Sequence, residues 1–145
     1  MEDIDRQIIE LLAEDGRMSF TDLGKETGLS TSAVHQRVRR LEKRKVIRGY
    51  RADIDPDALG LPLAAFVAIR AFDPSTEDKA PKKLAGIKGI EACYSIAGDE
   101  AYILKVRVAS PVALEALLSE IRALAGVSTR TSLVLSVPFE DQFVQ

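Results

Sequence analysis

The sequence predicts an α+β protein of two domains, the first helical and the second built from strands and helices. Residues 3–45 contain three segments in which apolar side chains recur at the helical period. Residues 61–137 contain four strand-like apolar segments and two further helical ones. Residues 37–51 carry eight Arg or Lys and one Glu, a net +7 on a chain whose formal net charge is −2. Such a basic block indicates a surface that contacts phosphates.

Composition limits the classes of protein that this chain can represent. Its 145 residues suffice for two small domains, and 46% hydrophobic content predicts ordered cores. The longest apolar run, residues 61–69, is far below the ~20 residues of a membrane helix, and the start MEDIDR lacks signal-peptide features. We therefore expect a cytoplasmic protein with no membrane partner. With one cysteine, Cys93, and one histidine, His35, no disulfide, metal site or cofactor is expected, and Cys93 should be a buried strand residue.

The first two helices are predicted from apolar periodicity and from caps. Asp3 should cap the first helix and Gly16 should end it, and its apolar face is formed by Ile4, Ile8, Leu11 and Leu12. The second should lie between Ser19, an N-cap, and Gly28, a left-handed stop. Ser30 then caps a third helix, so only a short turn separates the last two. That spacing predicts a helix-turn-helix.

The third helix, from Thr31 to about Lys45, has an apolar and a polar face. Val34, Val38 and Leu41 recur at i, i+4 and i+7, so they should pack on the other helices. The opposite side carries Ser32, His35, Gln36, Arg39 and Lys43, with Arg37 and Arg40 at its flanks. In this motif the N-terminal end of the second helix enters the major groove of DNA.

These positions predict roles in DNA binding. We assign Ser32, His35 and Gln36 to base edges, and Arg37, Arg39, Arg40 and Lys43 mainly to phosphates. Ser30 is expected to cap the helix and to place backbone N–H groups against a phosphate oxygen. The alternatives are a basic face that is only solvated, and a His35 that is an ordinary exposed histidine.

The segment after the third helix predicts a wing and then a hinge. Residues 46–51 are expected to form a short strand that leads the chain away from the helix. Asp55-Pro56-Asp57 and Gly60-Leu61-Pro62 then interrupt the pattern. We predict a winged helix-turn-helix domain over residues 1–51, a linker over 52–61, and a second domain over 62–145.

The second domain is expected to have the order βαββαβ. Its strands are predicted over residues 61–72, 90–97, 101–109 and 127–137. One helix is built on Ala80, Leu84 and Ile87, and a longer one runs from a cap at Ser110 to Gly126. This is the order of the split ferredoxin-like fold.

The first strand of that domain is apolar on both faces. Leu63, Ala65, Val67 and Ile69 share one face, and Ala64, Phe66 and Ala68 share the other. Helices cover only one face of such a sheet, so we expect a second copy of the chain to cover the other and form a homodimer. A two-fold dimer allows two helix-turn-helix units to bind a pseudo-palindromic operator in double-stranded DNA.

Two runs, GLSTSAVHQRVRRLE and VIRGY, closely resemble the amino-terminal part of the Lrp/AsnC (leucine-responsive, feast/famine) transcriptional regulators. The resemblance extends over nearly the whole chain. It implies that the second domain is the RAM/ACT-like amino-acid-sensing module of that family. It also implies dimers that assemble into octamers or similar rings, and an effector amino acid bound between neighbouring dimers.

The resemblance places the effector pocket at the turn between the second and third strands, over Gly98, Asp99, Glu100, Ala101 and Tyr102. Gly98 and Tyr102 match the family pattern, whereas Ala101 stands where an aspartate commonly receives the ammonium group of the effector. Asp99, Glu100 or backbone carbonyls would then receive it, and Thr129, Thr131 and Ser132 would contribute hydroxyls from across the pocket. The alternative is that Asp99 and Glu100 form a solvated hairpin turn.

Together these features predict a sequence-specific transcriptional regulator of amino-acid metabolism, whose DNA affinity or assembly is modulated by an amino-acid effector. One alternative is an architectural DNA-binding protein without an effector, because Ala101 alters the pocket. Another is an enzyme, because sirohaem decarboxylases resemble this architecture and act through basic side chains, including histidine, in the second domain. That domain contains no histidine here, so an enzyme is not expected.

Overall fold

A computed structural model describes residues 1–144, which form two compact units. Residues 1–53 belong to the first unit and residues 54–138 to the second, so the division lies within the predicted linker. The predicted second domain differs at its end, because residues 139–144 group with the first unit. There Phe143 borders a surface recess together with Gln7 and Leu11 of the first helix.

Three helices build the first unit: α1 (Asp3–Glu14), α2 (Phe20–Thr27) and α3 (Thr31–Lys43). Their apolar faces meet in one core of Ile8, Leu12, Leu23, Val34, Val38 and Leu41. The predicted serine caps are confirmed, since Ser19 Oγ accepts the Asp22 N–H at 3.0 Å and Ser30 Oγ accepts the Ala33 N–H at 3.1 Å. Asp3 is not the cap of α1, because Glu2 occupies that position, without a side-chain hydrogen bond.

The turn between α2 and α3 depends on two glycines. Gly28 adopts the left-handed conformation, with φ of 76°, that ends α2. The Leu29 N–H then donates to the Gly24 carbonyl at 3.1 Å. A Cβ atom at Gly24 would lie only 2.6 Å from the Leu29 carbonyl oxygen. Because Gly24 has no side chain, the turn can pack directly on α2.

The predicted wing strand is not formed by residues 46–51, which all lie in the described part of the chain. Instead α3 ends in a Schellman-type turn, in which Lys45 is left-handed with φ of 61°. The Val46 N–H donates to the Leu41 carbonyl at 3.0 Å, and Ile47 packs against the helical core. These contacts fold the segment back onto α3 before it can extend as a strand.

The second unit contains one four-stranded sheet. Its elements in chain order are β1 (Leu63–Ala71), a 3-10 helix (Pro74–Lys79), α4 (Ala80–Leu84), β2 (Ile90–Ser95), β3 (Tyr102–Val108), α5 (Pro111–Ala125) and β4 (Val127–Leu133). The strands are antiparallel in the order β2-β3-β1-β4, which confirms the ferredoxin-like arrangement. The first predicted helix is shorter than expected, because the 3-10 helix precedes α4 and Ile87 lies beyond it.

Both α-helices of this unit pack on one face of the sheet. The core there contains Ala65, Val67, Ile69, Leu84, Leu104, Val106, Leu117 and Ile121. The opposite face, termed the open face, carries Ala64, Phe66 and Ala68 of β1 beside Tyr94, Ile103 and Arg130 of other strands. Phe66 is half-buried and Tyr94 is 52% exposed. The alternation along β1 thus places apolar side chains on the open face, where Phe66 pairs with Lys105 and Ser132 of the neighbouring strands.

Cys93 was expected to be buried, but the structure exposes it on β2. The reason is the position of β2 at an edge of the sheet, which sequence periodicity does not reveal. Its partial burial still raises the pKa of the thiol.

Candidate DNA interface and effector cavity

The polar face of α3 is exposed and its orientation is set by the core. Val34, Val38 and Leu41 are each at most 1% exposed, so the helix cannot rotate without losing its apolar contacts. Six predicted DNA-binding residues lie outward and exposed: Ser32, His35, Gln36, Arg39, Arg40 and Lys43. This face therefore presents exposed polar and basic side chains, the groups that major-groove helices use in helix-turn-helix proteins.

Arg37 has a different role from the predicted phosphate contact. Its Nη1 donates to Asp5 Oδ1 at 3.0 Å and to Glu2 Oε2 at 3.1 Å. The Asp5 bond, followed by the Glu2 bond, raises the pKa of the guanidinium. Asp5 is only 5% exposed, so moving Arg37 to a phosphate would leave a buried carboxylate unpaired. In this structure Arg37 therefore joins α3 to α1, and its phosphate contact stays an untested prediction.

His35 has an aromatic partner that the sequence pattern did not indicate. Its ring lies edge-to-face with Phe20, with the ring centroids 5.2 Å apart and the planes at 81°. Phe20 is the first residue of α2, so the contact depends on the packing of α2 against α3. It orients the imidazole while leaving the residue exposed.

The start of α3 brings two hydroxyls together. Ser30 Oγ accepts the Ala33 N–H and lies 3.3 Å from Ser32 Oγ. At this end of a helix the first backbone N–H groups have no partner within the helix, and the helix dipole favours an anion. The predicted capping role of Ser30 is confirmed, and its phosphate contact stays a prediction.

The predicted effector residues of the β2–β3 loop border two adjoining recesses in the second unit. Gly98, Asp99, Glu100 and Ala101 border a recess of about 450 Å³, termed the effector cavity. Ala101 and Tyr102 border a neighbouring recess of about 410 Å³. Pro74 and Glu77 of the 3-10 helix border both. These volumes are in the range of small-molecule sites.

Arg70, Pro74 and Glu77 also border the effector cavity, although the sequence did not predict them there. Arg70 and the β2–β3 loop are far apart in the chain, and the pairing of β1 with β3 brings them together. The pair Asp73-Pro74 did offer a local signal for the 3-10 helix, since a side-chain acceptor followed by proline is typical of the start of a helical turn. Asp73 Oδ1 accepts the Ser75 N–H at 3.0 Å and the Ser75 hydroxyl at 2.8 Å.

Glu100 is paired within the subunit. Arg130 Nε lies 2.9 Å from Glu100 Oε1, and Arg130 Nη2 donates to Glu100 Oε2 at 2.9 Å. The two parallel contacts form the bidentate geometry that favours arginine with carboxylate. The Glu100 side chain is 15% exposed, whereas Asp99 is exposed.

The hydroxyl residues of β4 do not reach the effector cavity in this structure. Since β1 lies between β3 and β4, one strand separates the β4 hydroxyl residues from the strand that follows the β2–β3 loop. Thr129 Oγ1 instead accepts a hydrogen bond from Arg122 Nη1 at 3.1 Å, on the helix side of the sheet. Thr131 shares that side, and Ser132 pairs with Phe66 on the open face. Within one subunit these three residues therefore do not border the effector cavity, and their contribution from across the pocket stays a prediction.

Residues 1–144 also bear on metal binding and on membrane insertion. The described side chains include no group of three or more His, Cys, Asp or Glu that could hold a metal ion. Over the same residues, none of the helices has the length and apolar character needed to cross a membrane.

A helix-turn-helix with an exposed basic helix, in one chain with an α+β unit that carries a ligand-sized cavity, defines a DNA-binding transcriptional regulator with a sensing domain. Residues 1–42 match the AsnC-type helix-turn-helix domain, and residues 64–143 match the Lrp/AsnC ligand binding domain. The chain belongs to the Lrp/AsnC family of transcriptional regulators.

Similarity to individual members extends over almost the entire chain. The chain is 51% identical to the HTH-type transcriptional regulator LrpA of Mycobacterium tuberculosis, over 98% of this chain and 95% of the relative. It is 35% identical to the leucine-responsive regulatory protein of Haemophilus influenzae, over 97% and 87% respectively. A solved structure of the feast or famine regulatory protein from M. tuberculosis, complexed with L-methionine, has a TM-score of 0.96 and 50% identity, covering 99% of this chain and 97% of that one.

Proposed function

We propose that this protein binds specific DNA sites in the cytoplasm to regulate genes of amino-acid metabolism, and that an amino acid modulates its DNA affinity or assembly. The observation that carries the proposal is the presence, in one chain of this family, of an exposed basic α3 face and a separate effector cavity. The L-methionine complex of the M. tuberculosis protein supports an amino acid as the ligand.

On the DNA side, the proposal divides the α3 face into two groups. Ser32, His35 and Gln36 at the N-terminal end would contact base edges, since their exposed polar groups can donate to or accept from them. Arg39, Arg40 and Lys43 would contact phosphates, and the backbone at Ser30 would receive a phosphate oxygen. Arg37 is left out of the interface because Asp5 and Glu2 occupy it.

We also propose a homodimer through the open face. The centre of that face combines Ala64 and Ala68 with the larger side chains Phe66, Tyr94 and Ile103. Burial of these apolar groups against a second copy would stabilise the pair, and a two-fold axis would present two α3 helices to a pseudo-palindromic site. Association of dimers into octamers or similar rings is the family expectation that we carry over.

The effector would act by favouring one state of the protein over another. Coupling between two ligands is typically about 1–3 kcal/mol, or roughly 5–150-fold in affinity. The effector cavity combines carboxylates, Arg70 and apolar groups, which suit the charged and apolar parts of an amino acid.

An architectural DNA-binding role is the second candidate. It is favoured by Ala101, which offers no side-chain acceptor in the cavity, and by the ion pair of Glu100 with Arg130. Catalysis is not part of the proposal, because residues 54–138 contain no histidine and the family is one of DNA-binding regulators.

The test is a fluorescence-anisotropy titration of DNA from upstream of the protein's own gene, with and without each common amino acid at millimolar concentration. We expect one or a few amino acids to shift the affinity by about 5–150-fold. Salt-sensitive binding that no amino acid alters would favour the architectural role.

Gly98→Leu tests whether the effector cavity is the ligand site. A Cβ atom there would lie 3.9 Å from Ile96 Cδ1, so the backbone tolerates the change while the longer side chain occupies the cavity. We expect DNA binding to persist and the response to disappear. A full response in this variant would exclude the effector cavity as the ligand site.

A further inference from the structure

We propose that Arg70 and Glu77 form a charge pair that binds a free α-amino acid in the effector cavity, with Glu77 receiving the ammonium group and Arg70 the carboxylate. This inference rests on the proposed function and assigns the two ligand groups to residues of this chain. Both residues border the same cavity of about 450 Å³.

The two charges are available for a ligand. Within residues 1–144, neither side chain has a hydrogen-bond or ion-pair partner. Arg70 is the only basic residue among the described residues that border the cavity. An unpaired cation and an unpaired carboxylate on one cavity match the two charges of an amino acid, and neither must break an existing bond to bind it.

Glu77 suits the ammonium group better than the other carboxylates nearby. Glu100 is saturated by the bidentate contact with Arg130, so binding a ligand there would require breaking two short hydrogen bonds. Asp99 and Asp78 are more accessible to water, which screens their charge. Glu77 is half-buried and borders the cavity directly, so its attraction for a bound cation is screened less than that of Asp99.

The positions of both residues are set by regular structure. Arg70 lies on β1, which pairs on both sides with neighbouring strands. Glu77 lies in the 3-10 helix, whose start is held by Asp73 through two hydrogen bonds from Ser75. A ligand therefore meets two residues whose backbones are already positioned, and binding would order their side chains.

Besides the charged residues Asp99 and Glu100, the cavity is bordered by several apolar residues. Ala71, Pro74, Ile96 and Ala101 border it, and Ile96 is an exposed large apolar residue at 36%. These groups would contact an aliphatic or thioether side chain once the charged groups are bound. L-methionine, the ligand in the M. tuberculosis structure, and L-leucine carry side chains of this kind.

The test compares L-methionine with L-methioninamide, which lacks the carboxylate, and with N-acetyl-L-methionine, which lacks the ammonium group. Isothermal titration calorimetry on the full chain measures all three. We expect the wild-type protein to prefer L-methionine over each analogue by about tenfold or more, as is typical of hydrogen bonds to charged groups. Arg70→Gln should abolish only the preference over the amide, and Glu77→Gln only the preference over the N-acetyl compound.

Two variants control for net charge. Asp78→Asn removes the same charge as Glu77→Gln from the neighbouring residue, and Lys88→Gln removes the same charge as Arg70→Gln from an exposed loop. Both should keep the wild-type preferences. The inference is overturned if each test variant behaves as its control, or if neither L-methionine nor L-leucine binds the wild-type protein. In the latter case a response of DNA binding to another amino acid would leave the proposed function intact.

Discussion

Arg37 Nη1 lies 3.0 Å from Asp5 Oδ1, which ties the middle of α3 to the first turns of α1. The Arg37 side chain is 25% exposed and that of Asp5 is 7% exposed, so the pair lies at the border of the helical core. A carboxylate in that position needs its cation, because an unpaired buried charge is strongly unfavourable. One arginine of the basic block thus stabilises the fold, while its neighbours Arg39 and Arg40 are exposed.

This division predicts different effects for two nearby arginines. Arg39→Ala should reduce the slope of log affinity against log salt by about 0.9 for each phosphate that the variant no longer neutralises, with little change in stability. Arg37→Ala should lower the urea midpoint of unfolding and leave the salt slope nearly unchanged. Anisotropy at several salt concentrations and urea titrations measure both. Equal reductions of the slope in the two variants would return Arg37 to the DNA interface.

Gln36→Ala should relax sequence preference and keep non-specific affinity. An exposed glutamine on this face can bond a base edge, and a good interaction of that kind discriminates by about 1–3 kcal/mol. Competition between operator and random DNA gives the specificity ratio. An unchanged ratio and footprint would show that another residue reads the sequence. Lys43→Ala is the control, because it should lower the affinity for operator and random DNA by the same factor.

Gly24→Ala should destabilise the helix-turn-helix more than Gly28→Ala. At Gly24 the new Cβ would lie 2.6 Å from the Leu29 carbonyl oxygen, and such overpacking costs about 1–3 kcal/mol. Gly28→Ala meets no atom within 4 Å and incurs only the left-handed backbone cost of about 1–2 kcal/mol. Urea unfolding followed by circular dichroism ranks the two. The reverse order would contradict the close approach at Gly24.

Phe66→Asp should dissociate the dimer proposed through the open face. It places a charge at the centre of a surface that must lose its water on association. Val112→Asp is the control, because Val112 is 79% exposed on α5, away from that face. Sedimentation equilibrium reports the mass of each variant. A dimer that persists in Phe66→Asp would place the interface elsewhere.

Asp73 should show a low pKa that depends on Ser75. The Ser75 hydroxyl and then its backbone N–H hold the pKa of Asp73 below its ordinary value, because both bonds favour the charged carboxylate. Their stabilising effect is complete above the unfolded value of about 3.9 and is lost as pH falls through the lower folded value. Carboxyl-carbon NMR titration measures this pKa. Ser75→Ala should raise it, and an unchanged pKa would contradict the assigned cause.

Local signals account for the parts of the fold that the sequence predicted well. Ser19, Ser30 and Ser110 each accept a hydrogen bond from the backbone N–H of the residue three positions later, so each cap depends only on local sequence. Apolar periodicity likewise identified the buried side of α3 and both faces of β1, because it depends only on the repeat of each element. Such features need no knowledge of what the segment packs against.

The errors arose where the end of an element or the order of strands decides the structure. The wing strand was predicted wrongly because the Val46 N–H donates back to the Leu41 carbonyl. The way α3 ends, rather than strand propensity, determines the conformation of this segment. Cys93 is exposed because its strand is at an edge, and the β4 hydroxyls are displaced because β1 separates them from β3. Neither strand order nor the position of an edge can be read from apolar alternation.

The sequence by itself determined the two-domain order, the basic face of α3 and the loop from Gly98 to Tyr102, since these follow from residue types at short spacing. Only the tertiary structure decided that Arg37 joins Asp5, that Glu100 joins Arg130, and that Arg70 and Glu77 share a cavity. The physical reason is that the role of a charged side chain depends on the groups that folding brings within a few ångströms of it. Attraction between charges falls with distance and rises as water is excluded.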